Sequence, residues 1–125
     1  MSRARQAAAA VAAFRIAYGA ALMVTPPRTT RRWLGTAGQQ PGGGQVAIRA
    51  LGAREIALHA GALAASLRGA PIRPWFAASI AGDLADIAST FAARKALPSG
   101  SGPATAVVAG ASAAISAAAA AAVER

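Results

Sequence analysis

The chain is 125 residues long, with 55% hydrophobic and 14% charged residues, which allows one domain and excludes a catalytic domain joined to a regulatory one. Ordinary soluble domains carry roughly 25% charged residues, so this chain has too little charge to solvate a normal surface, and lipid is its expected surroundings. With no cysteine it has no disulfide framework, thiolate metal site or cysteine nucleophile; a net charge of +9 would suggest nucleic acid, but most of the basic residues sit at loops and segment ends.

Four apolar runs follow in chain order, at about 6–24, 45–67, 75–93 and 104–123, each close to the roughly 20 residues that cross ~30 Å of hydrocarbon. The predicted fold class is all-α, a transmembrane four-helix bundle forming a single membrane domain over 1–125, multi-pass in the cell membrane. Alanine makes up about a third of the chain and the mean hydropathy is only +0.42. Because alanine is nearly neutral on insertion scales, the apolar signal is broad but shallow.

Arg3 and Arg5 ahead of the first run resemble the start of a signal peptide, but Arg15 interrupts the run and three more apolar segments follow, so the first segment is expected to be retained. Pro26 and Pro27 end it. Arg28, Arg31, Arg32 and Trp33 then mark a membrane boundary, and Thr29 to Leu34 reads as a short headgroup-level helix with a threonine cap, arginines up and Trp33-Leu34 down. The Gly42-Gly43-Gly44 run lacks the lysine and hydroxyl of a phosphate-binding loop and reads as a turn. Gly69, Pro71 and Pro74 separate the second and third runs, flanked by Arg68, Arg73 and an interfacial Trp75. Pro98 to Pro103, with interleaved serine and glycine, leads into the fourth. Basic residues tie in number between the two sides: Arg3, Arg5, Arg68, Arg73 and Arg125 against Arg28, Arg31, Arg32, Arg94 and Lys95. The positive-inside rule therefore gives no orientation.

Three of the four carboxylates, Glu55, Asp83 and Asp86, fall inside predicted spans, where an unpaired charge costs at least ~2.5–3.5 kcal/mol. Arg15, Arg49 and Arg54 are the expected intramembrane cations, which makes the buried set neutral. At about 100° per residue, Ser79, Asp83, Asp86 and Thr90 form one stripe of the third helix, and Glu55 and His59 share a face of the second with Gly52 beside them. Arg54 points away from that face. Arg15 shares a face of the first helix with Ala8, Ala12 and Gly19, which are small enough for close helix approach.

The polar core of Arg15, Arg49, Arg54, Glu55, His59, Ser79, Asp83, Asp86 and Thr90 is expected to hold the bundle together, with Arg15 and Arg54 pairing the acids and Ser79, Tyr18 and Thr90 completing the hydrogen bonds. Two other readings use the same residues: a proton or cation path through Glu55, His59, Asp83 and Asp86 in an oligomer, and a metal site of the kind found in helix bundles, which the competing arginines disfavour. A soluble alanine-rich protein using its basic loops on nucleic acid or anionic lipid is a further alternative. Nucleophilic catalysis lacks an elbow motif and ordered partners. No enzyme activity, cofactor or metal is expected, and the expected partners are the lipid bilayer and a homo-oligomer or larger membrane complex rather than nucleic acid.

The segments RALGARE (Arg49 to Glu55) and GDLAD (Gly82 to Asp86) resemble a family of small, uncharacterised four-helix membrane proteins common in actinobacteria. The likeness covers Val46 to Phe91 with short motifs. It implies a membrane location and a shared polar core of Arg54, Glu55 and Asp83. Relatives place a histidine in the last helix, which here is nearly pure alanine and serine.

Overall fold

Helix formation begins at Ser2, whose hydroxyl accepts the Arg5 amide at 3.2 Å and so satisfies one of the orphan donors of a helix start. The computed structural model describes residues 1–25, 31, 33–35 and 42–123. From the Ser2 cap, a run rich in alanine, the strongest helix former, carries α1 over Arg3–Val24. Thr25 closes it, its amide bonding the Ala21 carbonyl at 2.9 Å just before the two prolines.

The second helix, α2, spans Gly43–Arg68. Gly69 ends it in the left-handed conformation (φ +71°), and the Ala70 amide folds back to the Ala65 carbonyl at 2.9 Å, the usual glycine stop. Arg5 reinforces this end from α1, donating to the carbonyls of Ala70 at 3.1 Å and Gly69 at 3.3 Å, where a cation also meets the negative end of the helix dipole. The third helix, α3, covers Arg73–Ala92 with Pro74 in its first turn, a position where a missing amide costs nothing. A 3-10 turn at Arg94–Ala96 leads to α4, Ser101–Val123. The described residues thus form four helices and no strand.

Successive helices run antiparallel, as the pairings Arg5 with Gly69, Arg15 with Glu55 and Arg49 with Met23 show for α1 and α2. His59 with Ser79 and Arg54 with Asp86 show it for α2 and α3. Packing is closest within α1/α2 and within α3/α4, and looser where these pairs meet. Glycine makes the first contact tight: a Cβ on Gly52 would lie 2.5 Å from the Gly19 carbonyl oxygen, and one on Gly19 would lie 2.7 Å from that of Gly52. The helix backbones touch there, as small residues permit between membrane helices. In the second pair the Phe91 ring lies 3.1 Å from where a Gly102 Cβ would stand.

The interior divides lengthwise. At the end holding both termini, Ala8, Ala12, Ala62, Ala65, Ile72, Phe76 and Ala119 form an apolar core. Towards the other end the buried set includes the charged side chains of Arg15, Glu55 and Asp83 with Thr90, beside the apolar Leu22 and Ile48. Other large apolar residues face outward: Phe14 is 73% exposed and Val107 70%, and Leu84 and Ile115 are exposed as well. Phe76, Leu22 and Ile72 are the largest side chains that are fully buried.

Two helices, Arg3–Val24 and Ser101–Val123, are long and apolar enough to cross a membrane. The expectation of four spans is therefore met in helix number but by only two helices in apolar character. Of the expected interfacial helix at Thr29 to Leu34, Arg31, Trp33 and Leu34 are helical; the Thr29 cap, Arg28 and Arg32 lie outside the described residues.

Candidate functional site

Arg15 is the centre of the polar half. Its Nε donates to Glu55 Oε2 at 2.8 Å, and its two terminal nitrogens bind Asp83 in a fork, at 2.8 Å to Oδ2 and 2.7 Å to Oδ1. A planar guanidinium suits this task, since one group meets two carboxylates with directed hydrogen bonds. Glu55 belongs to the neighbouring helix α2, whereas Asp83 lies on α3, which packs against α1 far less than α2 or α4 does. The arginine therefore reaches across the bundle axis. All three residues are buried, with exposures of 6% for Arg15, 2% for Glu55 and 3% for Asp83.

Arg54, one residue from Glu55, points to α3 and donates to Asp86 Oδ2 at 3.0 Å. Its contacts with Asp86 Oδ1 and Glu55 Oε1 are both 3.5 Å, beyond good hydrogen-bond length. Gly82 makes room for it: a Cβ there would stand 3.0 Å from the guanidinium carbon. The sequence reading missed Gly82 as the seat of Arg54, although the glycine sits within one helical turn of Asp86.

His59 has a fixed role. Its Nδ1 lies 2.7 Å from the Glu55 carbonyl oxygen, which can only accept, so the proton is on Nδ1. Nε2 lies 3.0 Å from Ser79 Oγ, and the serine hydroxyl has no other hydrogen-bond partner among the described residues. Nδ1 also lies 3.6 Å from Glu55 Oε2. The serine hydroxyl can donate to Nε2 or accept from it, and complete burial favours the neutral ring, in which Nε2 accepts. Its edge also meets Phe76, with ring centres 6.3 Å apart.

The stripe Ser79, Asp83, Asp86 and Thr90 does face inward, with Asp86 the most exposed of the four. Thr90 Oγ1 donates to the Asp86 carbonyl at 2.7 Å and accepts from Trp33 Nε1 at 3.0 Å. Ser101 Oγ donates to the Trp33 carbonyl at 2.8 Å. Trp33, expected at the interface, is thus tied into the end of the bundle, and Ser101 is a polar contact that sequence reasoning did not find. Trp75 is exposed and lies against Gly61, and Arg31 is exposed.

One expectation is corrected. Arg49, taken as a third buried cation, sits on an exposed face and donates from Nε to the Met23 carbonyl at 3.3 Å. It lies about one and a half turns before Arg54, level with the end of α1, where a helix-terminal carbonyl attracts it. The cluster therefore sets two guanidinium groups, Arg15 and Arg54, against three carboxylates, Glu55, Asp83 and Asp86, and one negative charge is left over among the described residues.

A cleft of about 460 Å³ opens onto this cluster. Its floor is formed by Arg15, Glu55, Asp83 and Asp86, and its walls by Phe14, Tyr18, Leu51 and Trp33 on one side and Thr105, Val108, Ala109 and Ser112 of α4 on the other. Tyr18, expected to hydrogen-bond the acids, is a half-exposed wall residue. Among the described residues no group of three or more histidine or acidic side chains could hold a metal ion; Glu55, His59, Asp83 and Asp86 spend their geometry on arginine, serine and backbone instead.

Comparison with protein-family models, curated proteins and solved structures finds no match to the chain. The functional reading therefore rests on the geometry.

Proposed function

We propose that this chain is a small multi-pass membrane protein without catalytic activity, a structural or accessory subunit in which the Arg15 cluster fixes the two helix pairs against each other. The observation that carries this reading is the pairing of Arg15, Glu55 and Asp83 inside the bundle together with large apolar residues such as Phe14, Leu84, Val107 and Ile115 on its outside. In water such a surface would be costly and sticky. In lipid it is the favoured arrangement, because intramembrane ions face the bundle interior and pair there. The apolarity of α1 and α4 supports the same reading.

Fractionation tests it. The expressed protein should sediment with membranes, stay there in high salt or alkaline carbonate, and be released by detergent. Recovery in the soluble fraction without detergent would overturn the membrane assignment.

A proton or cation path draws support from the left-over negative charge. Against it, the termini end of the bundle buries no charged side chain among the described residues: Ala8, Ala12, Ala65, Ile72 and Phe76 pack there beside the uncharged hydroxyls of Ser66 and Ser116.

A further inference from the structure

The geometry points to the cleft between α1 and α4 as a binding site for an amphiphilic organic cation, an apolar or aromatic body carrying one ammonium group. Small-molecule sites are concave and mostly apolar, with a few convergent polar groups, and at about 460 Å³ this cleft is within the usual range of roughly 300–1,000 Å³. Its walls supply the apolar surface through Leu51, Val108 and Ala109, and two aromatic faces through Phe14 and Tyr18, which also attract cations.

The floor selects the charge. Its three carboxylates face two guanidinium groups, and His59 adds no charge in its observed hydrogen bonds. The unspent acceptor can be located: Glu55 is 2% exposed, yet its Oε1 has only a 3.5 Å contact with Arg54. Among the described residues, Asp86 Oδ1 has only another 3.5 Å contact with the same side chain. Both residues line the cleft. An ammonium group would donate to these two oxygens and cancel the residual charge. An anion would meet the surplus of carboxylates, although the buried Arg54 Nε also lacks a partner among the described residues, and a neutral alcohol brings one donor for two oxygens and no charge. A metal ion does not fit, because the acids are not grouped as ligands. The inference relies on the membrane reading only for the way in, sideways past the outward-facing Phe14 and Val108.

The test uses the whole protein in a neutral detergent, with the fluorescence of Trp33 in a Trp75→Phe background and calorimetry as readouts. The probes are the primary ammonium 5-phenylpentylammonium, the uncharged 5-phenylpentan-1-ol and the anion 5-phenylpentanoate. The cation should bind saturably, one per chain, at least about tenfold tighter than the alcohol, an energy difference of ~1.4 kcal/mol, and the anion should not bind. Asp86→Asn, which removes the left-over charge, should erase the cation's advantage over the alcohol. Val108→Trp, on the exposed wall and away from the ion pairs, should weaken the cation by about tenfold or more with an unchanged melting temperature. No cation binding, equal binding of cation and alcohol, or cation binding unaffected by Val108→Trp would each overturn the inference. Fractionation decides the membrane reading separately, and neither result depends on the other.

Discussion

Arg15 directs three donors at two acids from two helices, so its removal exposes more than one lost hydrogen bond. Glu55 and Asp83 would remain buried without their partner, a situation that costs about 3–5 kcal/mol. Arg15→Gln and Asp83→Asn should therefore each lower the detergent melting temperature by well over 5 °C. The double variant should lose clearly less than the two losses added, since each single change orphans the other partner. Arg54→Gln should cost less, about 1 kcal/mol, because its pair with Asp86 is partly exposed. Thermal unfolding of the four proteins checks all of this, and unchanged stability in Arg15→Gln would remove the structural role. Helical spacing in the sequence had already aligned Ser79, Asp83, Asp86 and Thr90 and turned Arg54 away from Glu55. Depth was not legible in the same way: Arg49 and Arg54 both fall within one apolar run, and only the end of α1 at Met23 decides that the former leaves the core.

Among the elements, α1 and α2 owe their close approach to Gly19 and Gly52. Any side chain at Gly52 meets backbone rather than a movable group, so Gly52→Leu forces the helices apart, at a cost of about 1–3 kcal/mol or more. The Arg15–Glu55 bond less than a turn away should loosen with it. Gly110 on α4 has nothing within 4 Å of its Cβ position, so Gly110→Ala should be neutral or stabilise by up to ~1 kcal/mol through helix propensity alone. Melting temperatures of the two variants should move in opposite directions or, at least, only the first should fall. The four helices were legible from their breakers: two prolines after α1, Gly69 after α2, and Pro98 with Gly100 before α4 all act through backbone rules that need no tertiary context. Pairing of the helices was not legible. Alanine faces look alike all round a helix, and the choice of Gly19 against Gly52 depends on a register that only the folded backbone reveals.

At the scale of the whole molecule, the outward apolar face and the inward charges lead to opposite expectations in water and in lipid. Ile115, exposed near the middle of α4, separates them. In a bilayer Ile115→Arg places a charge against hydrocarbon at ~2.5–3.5 kcal/mol and should sharply reduce the membrane-integrated fraction. On a water-facing surface the same change would be harmless, so full integration of the variant would count against the spanning reading.

The diagonal bond from Arg15 to Asp83 also bears on how the protein is assembled. The α1/α2 hairpin carries Arg15, Arg54 and Glu55 in its interior, and the α3/α4 hairpin carries Asp83 and Asp86. Each half is electrostatically unfinished, the first with a surplus positive charge and the second with two negative ones. A hairpin that has lost its mate is left with charges that no neighbour neutralises, a mark by which quality control could tell an orphan half from a completed bundle.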